Sequence, residues 1–176
     1  MKTTRIVQFT FVAAALAFVL PAQADTVPVP SAENSAFTLE MASGWKAKTD
    51  SKDKSVDATS PDGHAYVSAW LVVTSDPKAE EQVVKDLGVT LKDSLKSVDE
   101  ASKEEPFEVD GATGVVVKGS GVDKRAETKV KFRVVLVPAG KDQIAIVYTD
   151  YDYDAPKETM DAMEGIPKSI KVAPKK

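Results

Sequence analysis

The sequence contains no cysteine and only one histidine, His64. The missing thiols exclude disulfide staples, a lipid-acylated cysteine, a thiol nucleophile and a zinc site of the usual His/Cys kind. Basic charge is also short, with 23 Lys and Arg against 27 Asp and Glu. A net acidic chain is repelled by phosphate backbones, so DNA and RNA are poor partners for it. No apolar run after residue 24 approaches the roughly 20 residues needed to cross a bilayer core. A Gly-x-Ser-x-Gly elbow and a phosphate-binding loop are missing as well.

The amino terminus is different. Lys2 and Arg5 precede a short apolar stretch, Ile6 to Leu20, broken only by Gln8 and Thr10. Pro21 then ends the run, and Ala22-Gln23-Ala24 supplies the small-x-small pattern that a signal peptidase accepts. The sequence therefore predicts a secretory signal over residues 1–24, cleaved between Ala24 and Asp25, and a periplasmic or secreted mature protein. The alternative, an uncleaved membrane anchor, is disfavoured by the shortness of the run. Without Lys2 and Arg5, 21 basic residues face 27 acidic ones, a net charge of −6. About 150 residues remain, enough for one domain to stand by burial alone.

Residues 25–35 hold two spaced prolines and small polar residues, which predicts a flexible or polyproline-like tether. A single domain is expected over residues 36–173. Phe37, Leu39 and Met41 alternate with polar neighbours, the period of a half-buried strand. Lys46 to Lys54 reads as an outward loop. Ser55–Ser60 and Ala65–Thr74 should form a hairpin about Pro61-Asp62-Gly63, with the second strand apolar on both faces. Asp76-Pro77 is a helix start. Val84, Leu87, Leu91, Leu95 and Val98 then fall on one helical face, with Glu81 and Lys85 as an ion pair on another. Gly88, within that helix, reads as a point of close packing on the sheet.

A charged linker to Pro106 is expected next. Asp110-Gly111 then marks a hairpin between Phe107–Val109 and Ala112–Gly119. Gly119-Ser120-Gly121 reads as a further turn. It matches a dinucleotide fingerprint only in part, since Lys124 holds the third glycine position and a strand follows. Lys124–Val137 is the longest predicted strand. One face changes from charged (Arg125, Lys129, Lys131, Arg133) to apolar (Val135, Val137), so the strand should run from beneath a helix into solvent. After a Pro138–Asp142 loop and a Gln143–Tyr151 strand, Asp154-Ala155-Pro156 repeats the cap-and-proline start. Met160, Met163, Ile166 and Ile170 follow at helical spacing, Gly165 and Pro167 should end or kink that helix, and the tail from Val172 should fray. This order predicts an α+β fold, an αβα sandwich with a mainly antiparallel sheet flanked by helices.

The segment Phe37-Thr38-Leu39-Glu40-Met41-Ala42-Ser43-Gly44-Trp45 resembles the opening strand of PsbP-like and DcrB-like proteins, with Ala42 where that family usually has proline. The Asp110-Gly111-Ala112 hairpin, the strand meander after the long helix and the closing Ile166-Pro167-Lys168-Ser169-Ile170 fit the same pattern. The resemblance covers most of residues 37–171 as an order of elements. It implies a sandwich used for binding: PsbP-type members assist a photosynthetic complex, Ran-binding relatives of Mog type hold a protein partner, and the DcrB type sits in the bacterial envelope. It transfers no functional residue.

Two local groups could carry chemistry. Asp150, Asp152 and Asp154 alternate and, with Glu158 and Asp161, follow the spacing of a calcium loop, although Ala155 stands where such a loop needs glycine. The competing reading is a solvated strand end with Asp154 as helix cap. The basic residues Arg125, Lys129, Lys131 and Arg133 could contact an acidic protein or an anionic envelope component, against the plainer reading of a strand face kept soluble by charge. His64 with Asp62 could form part of a Ser-His-Asp triad, against the plainer reading of a turn histidine. The expected function is that of a non-catalytic exported binding or accessory protein. The alternative is a carboxylate-dependent exported hydrolase, which would require a cleft with two converging, pKa-shifted acids.

Overall fold

The computed structural model describes residues 24–50, 54–74 and 79–173. The signal segment before Ala24, the Asp76-Pro77 helix start and the side chains of Glu81 and Val84 lie outside the described residues. Strands β1 (Asp25–Val29), β2 (Phe37–Met41), β3 (Lys46–Asp50), β4 (Ser55–Thr59) and β5 (Ala65–Val73) come first. Helix α1 (Ala79–Ser94) is followed by β6 (Leu95–Ala101), β7 (Glu105–Val109), β8 (Ala112–Asp123), β9 (Lys129–Gly140) and β10 (Gln143–Asp152). Helix α2 (Lys157–Gly165), a 3-10 turn (Ile166–Ser169) and β11 (Lys171–Val172) close the order.

The strands form two antiparallel sheets. The larger runs β3-β4-β5-β10-β9-β8-β6, with β7 also paired to β8; the smaller runs β1-β2-β11. One face of the large sheet packs beneath α1 through Trp70, Val72, Phe132, Val134, Ile146 and Tyr148, joined by Val83 and Leu95. Its opposite face (Val56, Val67, Ala69, Val135, Val137, Val147) packs on Phe37, Leu39 and Met41 of the small sheet and on Met163, Ile166 and Ile170. The class is α+β, mostly antiparallel sheet with two short helices. On the second face the cover is shared between α2 and a small sheet, where the sequence implied a helix alone.

The outcomes turn on pairing. The alternating Phe37–Met41 segment, the β4–β5 hairpin and the Asp110-Gly111 turn stand where the sequence places them, the last with positive φ at both residues (50° and 72°). The expected tether instead begins with β1, paired to β2 from Asp25↔Met41 to Val29↔Phe37. Pro28 is tolerated because β1 is an edge strand with no second neighbour to serve. Lys46–Asp50 is likewise a strand, all five residues exposed. With neither face buried it has no alternation to read. The tail is held too: Lys171 and Val172 pair with Thr38 and Phe37.

Helix α1 stops at Ser94, whose carbonyl accepts from the Lys124 amide, and Leu95 and Val98 belong to β6. Gly119-Ser120-Gly121 lies inside β8. Its glycines serve close approach, because a Cβ on Gly121 would sit 2.3 Å from the Ser97 carbonyl oxygen and one on Gly119 would sit 2.3 Å from the Phe132 ring. The turn comes later, at residues 124–128, where the Asp123 carboxylate accepts from the Arg125 and Ala126 amides. Gly88 faces open space, where a Cβ would meet no described atom beyond its own helix, so it marks no close packing.

Candidate functional site

The β4–β5 turn, the end of β10 and the loop before α2 meet at one end of the large sheet. Pro61-Asp62-Gly63 reverses the chain with Gly63 at φ 80°, and the Asp62 carboxylate accepts from the His64 amide (3.1 Å), the Ser60 hydroxyl and the Thr159 hydroxyl (2.6 Å). Burial alone would raise the Asp62 pKa, but three donors to its charged form win and hold it near 2. The network pins the turn to the first turn of α2.

His64 is placed by β-pairing: the Asp152 amide donates to the His64 carbonyl, extending the β5–β10 ladder beyond Tyr151↔Ala65. The imidazole Nδ1 donates to Asp152 Oδ2 at 2.8 Å, and the Thr128 hydroxyl donates to the other oxygen at 2.6 Å. The hydrogen bond to Asp152 raises the His64 pKa above its ordinary value, reinforced by the charges of Asp152, Asp62 and Asp154. The carboxylate partner of the ring is therefore Asp152, correcting the sequence expectation of Asp62. Ser60 Oγ is engaged with Asp62 and accepts from the Ala65 amide, so it does not complete a triad.

Of the three alternating aspartates, Asp152 and Asp154 converge with His64, their ligand atoms within 4.8 Å of one another. Asp150 stands apart from that group. It is 5% exposed and accepts from the Tyr148 hydroxyl at 2.7 Å. Burial pushes its pKa up to about 7; Asp123 and Asp152 add to the rise, while the Tyr148 hydrogen bond and Arg125 oppose it. Asp161 is engaged by Lys157 on α2. Asp154 caps nothing, since the N-cap of α2 is Pro156 and carries no side-chain cap bond.

The basic residues also separate. Arg125, in the β8–β9 turn, stacks over Tyr66 at 5.9 Å. Arg133 has a side chain only 15% exposed and donates through Nη2 to Glu164 of α2 at 2.7 Å. Cover by α2 thus reaches Arg133, beyond which Lys131 and Lys129 are exposed, as the change along that face predicts. The Lys131 ammonium lies 5.3 Å from the ring centroid of Tyr153, itself 51% exposed.

At the opposite end of the sheet an open cleft of about 990 Å³ lies between the Pro30–Ala36 loop and the β9–β10 turn, floored by Leu71 and Val73. Among the described residues Glu33 is the one acid lining it. The two carboxyls with shifted pKa among the described residues, Asp62 and Asp150, sit in separate hydrogen-bond networks. Among the described residues no helix is long and apolar enough to cross a membrane. The Asp152–His64 pairing and the buried Tyr148–Asp150 pair were not foreseen. Only the i, i+2 spacing of Tyr148 and Asp150 on one strand face was available as a signal for the latter.

No protein-family profile matches the sequence, and no curated protein matches it. Among solved structures the chain is similar to a protein from Bacteroides thetaiotaomicron VPI-5482, with TM-score 0.53 and 9% identity over 88% of this chain and 50% of that one. It spans half the length of that Bacteroides chain. It is similar also to the Saccharomyces cerevisiae Ran-binding protein Mog1p, with TM-score 0.50 and 15% identity over 86% and 96% of the two chains. PA94 from Pseudomonas aeruginosa, a protein of unknown function, aligns at TM-score 0.49 and 12% identity over 87% and 99%. The likenesses to the Bacteroides protein and Mog1p are likenesses of fold alone.

Proposed function

We propose that this protein is an exported, non-catalytic binding module of the PsbP-like and DcrB-like type, which engages an acidic protein partner through the sheet face carrying Lys129, Lys131 and Tyr153. The observation that carries this reading is the state of those cations. Lys129 and Lys131 stand exposed side by side on one strand face without a carboxylate contact among the described residues, and what sets them apart from other such lysines is the half-exposed Tyr153 ring 5.3 Å from Lys131. A half-exposed aromatic beside two such lysines gives apolar area and positive charge together, the composition of a protein-binding patch. The Ran-binding name of Mog1p supports use of the fold for holding a protein.

Export is supported by the charged start, the short apolar run and the Ala22-Gln23-Ala24 site. Cleavage before Asp25 would leave β1 whole.

Two measurements test the reading. Lys129→Glu with Lys131→Glu should release a partner that co-purifies with the native protein, while Lys46→Glu with Lys48→Glu, on the exposed edge strand β3, should retain it. Equal retention by both would remove the surface. Amino-terminal sequencing of the protein from a cell-envelope fraction should read Asp25; a cytoplasmic protein retaining Met1 would overturn export.

A further inference from the structure

We propose that His64, Asp152 and Asp154 form a binding site for a divalent cation of the zinc class. Two separate segments deliver the donors: the β4–β5 turn, and the end of β10 with the loop that follows it. Their ligand atoms already lie within 4.8 Å of one another. Two ligands on one tetrahedral zinc, at bond lengths near 2.1 Å, stand about 3.4 Å apart. His64 Nδ1 and Asp152 Oδ2 share a proton at 2.8 Å; a zinc ion taking that proton's place would open the pair by about 0.6 Å. The third donor must close by up to about 1.4 Å at that geometry, and Asp154 is exposed and able to turn.

The imidazole separates this group from an ordinary acidic patch. Nitrogen with two carboxylate oxygens suits zinc and its first-row neighbours, whereas calcium takes six to eight oxygens. The support behind the donors is in place as well. Asp152 is buried, and Thr128 fixes one of its oxygens at 2.6 Å, which leaves the other facing the ring. A plain His64–Asp152 ion pair accounts for two of the three residues. Asp154 is the third: it does not cap α2, makes no hydrogen bond or ion pair among the described residues, and lies beside the imidazole free to turn onto an ion. Asp62 also acts electrostatically on the ring. With the imidazole neutral, as a metal-bound ring must be, the carboxylates of Asp152, Asp154 and Asp62 place net negative charge around the ring, most of which a divalent cation would balance.

The single histidine makes the test unambiguous. Zinc chloride is titrated calorimetrically into the metal-free protein, prepared without added histidines, while the His64 ring signals are followed by NMR. The expected result is one zinc per chain, ring signals that shift in step with the heat, and calcium unable to compete at equal concentration. Asp154→Asn, at an exposed position, should weaken zinc binding tenfold or more with an unchanged melting temperature, and His64→Gln should weaken it at least as much. Zinc heat with unmoved ring signals, native-strength binding by Asp154→Asn, or displacement by equimolar calcium would each overturn the proposal, the last in favour of an oxygen-only calcium site.

Discussion

Replacing Asp150 with Asn should stabilise the protein at pH 8 and leave it nearly unchanged at pH 4. The carboxyl is 5% exposed, beneath Tyr148, with Asp123 and Asp152 raising its pKa and Arg125 lowering it. Its folded pKa of about 7 compares with an ordinary 3.8. Between those values the native state holds a proton that the unfolded chain has released, so stability falls as pH rises through that window. Below pH 4 the term vanishes. Above pH 7 it is complete, and a rise from 3.8 to about 7 corresponds to roughly 4 kcal/mol as an upper bound, at about 1.4 kcal/mol per tenfold change in proton affinity. Asparagine keeps an oxygen to accept from the Tyr148 hydroxyl and removes the ionisation. Urea unfolding of both proteins in EDTA, from pH 4 to pH 8, reads the difference directly, since every other titrating group cancels to first order. The variant should gain stability on the native protein with each step in pH, by a few kcal/mol in total. Parallel pH profiles would refute the burial argument.

Other expectations follow from the same geometry. Gly119→Ala should cost roughly 1–3 kcal/mol by overpacking, because its Cβ would meet the Phe132 ring at 2.3 Å and the Glu100 carbonyl at 2.4 Å. Gly88→Ala, in open space on α1, should gain up to about 1 kcal/mol from helix propensity; paired thermal melts check both signs. Asp62, held near pKa 2, contributes stability that is full above pH 4 and lost as pH falls toward 2. Asp62→Asn should therefore flatten the acid limb of a pH-stability curve, and an unchanged limb would contradict the network. Leu39→Ala should cost about 2–5 kcal/mol in denaturant unfolding, since Leu39 is fully buried between the two sheets.

Elements whose signal is local were legible. Phe37–Met41 alternates because one face is buried, and Asp110-Gly111 turns because both residues take positive φ. Elements that exist only through a neighbour were not. β1 carries a proline at its edge, β3 buries neither face, and β6 follows helical spacing through Leu95 and Val98 until pairing with β8 claims it. The candidate site divides in the same way. Alternation places Lys129 and Lys131 on an open face, and the sequence shows it. The partner of His64 lies 88 residues away, and strand register brings the two together, which no local spacing encodes. Arg133 reads as part of the stripe until Glu164 of α2 reaches it.

A photoreactive residue placed at Tyr153, with a control at Val89, tests the proposed binding face most directly. Both positions are 51% exposed, one beside Lys131 and the other on α1 across the large sheet. Irradiation of intact cells should give a discrete adduct from position 153 alone, lost when Lys129 and Lys131 are reversed to Glu. No adduct at 153, or the same adduct from both positions, would contradict the account.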